Sequence, residues 1–101
     1  MAEPLKVAKT TPASKLAGSI AYGIREEGQV TVSAIGATAQ RIAEQAIEMA
    51  KRFLSEEGHI VMHERTDEQV SRQAENGETV TATLARYNLR AEKQEEATKQ
   101  R

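Results

Sequence analysis

At 101 residues, with 39% apolar side chains, 29% charged ones and a formal net charge of −1, the chain has room for one domain with one modest core and excludes two. The near-neutral balance excludes a protein that coats nucleic acid by bulk charge, so a site for a polyanion has to be a local patch. The absence of cysteine excludes disulfides and thiolate metal centres, and no apolar run approaches the about 20 residues that cross a bilayer.

The N-terminus carries no basic region followed by an apolar run, so the chain is expected to be soluble and cytoplasmic. Its aromatic residues are Tyr22, Phe53 and Tyr87, and much of the apolar share is alanine. A core built this way is thin, and self-association is expected to help it.

Leu5 to Lys9 alternates apolar and polar residues and predicts a short strand with Leu5 and Val7 inward and Lys6 outward. Thr11 is placed to cap a helix that starts at Pro12 and runs to Glu27, with Leu16, Ala17, Ile20, Ala21 and Ile24 at helical spacing and Gly28 as its stop. Gly18 and Gly23 inside that helix predict a close approach of another backbone at one of them. Lys6, Lys9 and Lys15 surround the helix start, where unpaired N–H groups and the positive end of the dipole can hold phosphate.

Gln29 to Ile35 predicts a second strand, with Gly36 following as a point of close strand–helix packing. A second helix is expected from Thr38, as cap, to Glu57, with Ala39, Ile42, Ala43, Ala46, Met49, Ala50 and Phe53 as its core stripe. Leu54, Ile47 and Tyr22 fall off the main stripes and are expected at an interface. His59 to Glu64, with Ile60 and Met62 in alternation, and Thr79 to Ala85 predict two strands of a hairpin. Their connection, Arg65 to Glu78, ends in the turn signal Asn76-Gly77 and is expected to be a mobile arm or to hold a short helical turn. Residues 88–101 form a charged tail without apolar periodicity, expected to be disordered or frayed helix. The order is β-α-β-α-β-β: an α+β two-layer sandwich with two helices on one face of a four-stranded mixed sheet.

With that order, Leu5-Lys6-Val7, Lys9-Thr10-Thr11-Pro12, Leu16-Ala17-Gly18-Ser19-Ile20-Ala21, and Ala34-Ile35-Gly36-Ala37-Thr38-Ala39-Gln40 running into Ala46-Ile47 resemble the stage V sporulation protein S family, whose members have the Alba-like fold. The resemblance covers about residues 4 to 87, the span expected to be the nucleic-acid-binding domain. It implies a small regulatory protein that binds DNA or RNA as a homodimer or higher oligomer, with a role in sporulation or septation. In Alba-like proteins the turn after the first strand and the start of the second helix contact the nucleic-acid backbone. Carried over by position, the site residues are Lys9, Thr10, Thr11, Ser14 and Lys15, with Gln40 and Arg41. This chain departs from the archaeal chromatin proteins in having Ile35 and Ala37 around Gly36, and in mixing Arg65 and Arg72 with Asp67, Glu68, Glu75 and Glu78 in its arm. Both departures weigh against tight duplex binding.

Other chemistries find little support. His59 and His63 on a strand stand about 13 Å apart, too far to share one ion. Gly36 lacks the companions of a dinucleotide or P-loop motif, and no nucleophile matches a base, so neither catalysis, a cofactor, a membrane nor a small-molecule substrate is implied. The competing expectation is a protein-interaction regulator that keeps the fold without a nucleic-acid site.

Overall fold

The computed structural model describes residues 4–92. In chain order these form β1 (Leu5–Val7), α1 (Ala13–Glu27), β2 (Gln29–Ile35), α2 (Ala37–Glu56), β3 (Ile60–Gln73) and β4 (Thr79–Glu92). The sheet order is β1-β2-β4-β3, with β1 parallel to β2 and β4 antiparallel to both of its neighbours. Register places Val7, Val32, Ala34, Ala85, Tyr87, Leu89 and Val61 on one face, and all are buried. The two helices cover that face, and the expected α+β sandwich with β-α-β-α-β-β order is the fold observed.

α1 buries Leu16, Ala17, Ile20, Ala21 and Ile24, as its periodicity predicts, and ends on Gly28, whose N–H bonds to the Ile24 carbonyl. Gly23 is needed because a Cβ there would overlap Cγ2 of Val30; the close neighbour is a β2 side chain rather than a backbone. At Gly18 an added Cβ would meet open space.

α2 corrects the expected stripe. Ala39, Ala43, Ala46 and Ala50 form a narrow ridge against the core, completed by Ile47 and Leu54, which are 1% and 0% exposed. Phe53 is 41% exposed and Ile42 and Met49 only half-buried. The small alanines set the line of closest packing, and the buried face turns toward positions 47 and 54 instead of 42 and 53. Ile47 and Leu54 are therefore core, not interface. Gly36 also has a different cause: its φ of 92° lies in the left-handed region while nothing crowds its Cβ position.

The hairpin is far longer than its sequence signals. Both β3 and β4 have 14 residues, paired from Ile60↔Glu92 to Gln73↔Thr79. The stretch expected to be a mobile or helical connection is a two-stranded ribbon, closed by the turn over Ala74 to Glu78. Asn88 to Glu92, expected in the tail, belong to β4, with Asn88 to Arg90 paired to both neighbours and Ala91 and Glu92 to β3; the remainder, residues 93–101, lies outside the described residues. Val61, not Ile60 or Met62, faces the helices, since the register puts those two on the open face at 48% exposure each. From Thr79 to Thr83, β4 has no strand partner but β3, so a ribbon of about five residue pairs, roughly 17 Å, projects from the body and the molecule measures 63 × 22 × 21 Å.

Candidate nucleic-acid interface

Neither helix start is capped by a side chain. Thr11 closes the β1–α1 turn instead: its Oγ1 accepts from the Ala8 N–H at 2.9 Å, and its own N–H bonds to the Ala8 carbonyl at 3.0 Å. Pro12 takes the N-cap position of α1, and the first intrahelical bond runs from Leu16 N–H to Pro12 O. Thr38 sits one residue inside α2, whose N-cap is Gly36 and whose first bond is Gln40 N–H to Gly36 O. The N–H groups of Ala37, Thr38 and Ala39 thus have no acceptor within their helix, and they carry the positive end of its dipole.

These three residues line a groove of about 800 Å³ at the ends of β1 and β2. Lys6, Lys9, Arg72 and Arg86 also line it, and among its described lining residues there is no carboxylate. The cations come from three strands and the β1–α1 turn, which carries Lys9. Lys6 points outward because its strand neighbours Leu5 and Val7 share the core face. Arg86 lies on the same open face, reached through the pairing Ser33↔Arg86 between β2 and β4. Arg72 lies further up the ribbon on that face. Arg86 is held by Glu68 at 3.3 Å, whereas among the described residues Lys6, Lys9 and Arg72 have no carboxylate partner within 4 Å.

Of the residues expected from sequence, Lys9 and the start of α2 reach this groove. Thr10 and Ser14 are exposed on the first turn outside it, and Thr11 is half-buried in its own turn. Lys15 lines a different groove, beside α1. Gln40 is engaged structurally: its Nε2 donates to the Thr83 carbonyl at 3.0 Å, fixing the base of the ribbon. Arg41 is exposed on α2 beyond the groove. Lys6 was visible in sequence as an outward lysine, but Arg72 and Arg86 converge on the groove only because β4 lies next to β2.

The ribbon base is fixed to α2 by a polar cluster on the helix-covered face. The Tyr87 hydroxyl donates to Glu44 Oε2 at 2.8 Å, and Arg65 Nη1 donates to the same oxygen at 2.7 Å. Arg65 Nε donates to Asp67 at 2.7 Å, and its guanidinium lies 5.6 Å from the Tyr87 ring centre. Burial, with the adjacent Glu44 carboxylate, pushes the Tyr87 phenol up to about 12. Burial lowers the His63 imidazole, with Lys51 adding to the effect.

Two helices packed on one face of a four-stranded mixed sheet in β-α-β-α-β-β order form an Alba-like fold. Alba from Thermoplasma volcanium has the same fold, with a TM-score of 0.70 over 87% of this chain and 99% of that one at 13% identity. The sequence profile of stage V sporulation protein S (SpoVS) matches residues 3–86, and the chain belongs to that sporulation-related family. A search of curated proteins found no match. No helix among the described residues is long and apolar enough to cross a membrane.

Proposed function

We propose that this protein is a non-enzymatic, cytoplasmic regulator that binds the phosphate backbone of DNA or RNA as an oligomer. The observation that carries this reading is the groove of about 800 Å³ in which Lys6, Lys9, Arg72 and Arg86 join the uncapped start of α2. A phosphate in it meets main-chain donors and mobile cations together, without a competing carboxylate in the lining. Thr10, Ser14 and Arg41 act as outer contacts along the same polymer, while Lys15 faces the separate groove beside α1. Backbone donors and cations read no base edges, so affinity exceeds sequence preference. The acidic side chains of the ribbon limit that affinity, and oligomerisation compensates by letting weak patches act together.

Fluorescence anisotropy with labelled duplex and single-stranded DNA and RNA tests the reading across a salt series. Binding that weakens steeply with salt is expected, and the Lys9→Ala/Arg72→Ala variant lowers the log–log salt slope by about two, one per lost phosphate contact. Equal binding by parent and variant overturns the groove. Absence of binding to every probe favours the protein-interaction alternative.

A further inference from the structure

We propose that the outer face of α1 is a two-fold self-association surface, where Tyr22 of one copy enters the groove beside Gly18 of a second copy and Lys15 meets Glu26 across the axis. The proposal rests on the oligomer in the preceding reading and names the surface that makes it. A groove of about 520 Å³ runs between α1 and the edge of β2, lined by Leu5, Gly18, Ser19, Tyr22, Gly23 and Val30. It is open because β1 pairs only with Val32 to Ala34, which leaves Gln29 to Thr31 without a strand neighbour on that side among the described residues. Tyr22, at 65% exposure, is the most exposed large apolar side chain described, and it stands on the rim of this groove. The space above Gly18 is empty enough that an added Cβ would touch nothing.

The surface fits itself. Lys15, Gly18, Ser19, Tyr22 and Glu26 share one helical face, spaced by three, four, seven and eleven residues from the first. A second α1 packed antiparallel about an axis midway along the helix brings Lys15 level with Glu26, Ser19 level with Tyr22, and Gly18 level with Gly23. Each large ring then faces small residues, and each cation faces an anion, twice over by symmetry. An isologous interface requires this self-complementarity, which a surface shaped for an unrelated partner does not. Tyrosine suits the central position because it covers much apolar area while its hydroxyl stays hydrated at the rim.

Sedimentation equilibrium of the full chain tests the surface. The parent is expected to dimerise, and Tyr22→Ala and Gly18→Leu each to raise the dissociation constant about tenfold or more. Both positions are exposed, and leucine is a better helix former than glycine, so unchanged circular dichroism and thermal midpoint are expected alongside. Lys15→Glu and Glu26→Lys each weaken the dimer, and the double variant Lys15→Glu/Glu26→Lys restores it. A monomeric parent overturns both the surface and the oligomer. A dimer indifferent to Tyr22→Ala and Gly18→Leu overturns the surface alone, and salt-dependent binding of nucleic acid by either species leaves the groove reading standing.

Discussion

The two halves of the β3–β4 hairpin share one register but live in different solvents. Near the body, Ala85, Tyr87 and Leu89 are at most 2% exposed beneath the helices; in the ribbon, the same face of β4 carries Thr79 and Thr81 in the open and Thr83 half-buried where Gln40 reaches its carbonyl. The apolar residues of the ribbon, Val80, Ala82 and Leu84, fall on the opposite, open face. A strand thus switches the parity of its apolar side chains where its covering ends, and burial rather than pairing distinguishes structural from available surface.

The contrast breaks most clearly at the boundary residue. Tyr87→Ala removes a ring that is 1% exposed together with its bond to Glu44, and is expected to cost about 3–5 kcal/mol in denaturant unfolding. Alkaline pH attacks the same residue. Its folded phenol titrates near 12 against about 10 when unfolded, so the native state resists ionisation. The stability this contributes is complete below pH 10 and is lost as pH rises toward 12. Thermal midpoints measured across that range are expected to fall, and to fall less in Tyr87→Phe. Arg65→Ala comes next, at about 1 kcal/mol, because its partners Glu44 and Asp67 are half in water. Hydrogen exchange is expected to quicken at the ribbon base in that variant while the α1 amides stay protected. At the small end, Val80→Ala, 43% exposed in the ribbon, is expected to shift stability by no more than about 0.5 kcal/mol. A loss as large as that of Tyr87→Ala would show that the ribbon is packed in solution.

Element order was legible because each helix carries its period and each glycine stop falls where the pattern ends. The far end of β4 was not, although Tyr87, Leu89 and Ala91 alternate with Arg86, Asn88 and Arg90. Such alternation is a strand signal, but its charges look like the start of a polar tail. The α2 stripe misled because size was weighed above geometry: Phe53 and Met49 are large, yet the alanine ridge decides which side lies against the core. At the site, Lys9 could be read locally from a lysine beside a strand-to-helix turn. Arg72 and Arg86 could not, since their meeting with Lys9 depends on β4 crossing to lie beside β2. Thr11 and Thr38 look like caps in sequence because they precede or open helices, whereas Thr11 is engaged one turn earlier and neither helix start has a side-chain cap.

The switch in apolar parity along β4 also fixes where the hairpin can tolerate a change of length. Neither face of the ribbon is covered, so one residue inserted near Asn76 is absorbed as a bulge at the tip. The same insertion between Ala85 and Tyr87 would turn an aromatic ring toward water and a guanidinium toward the helices. Evolution can therefore lengthen this hairpin from its far end, beyond the Arg72↔Val80 pair that serves the groove, while the stretch beneath the helices stays locked in frame.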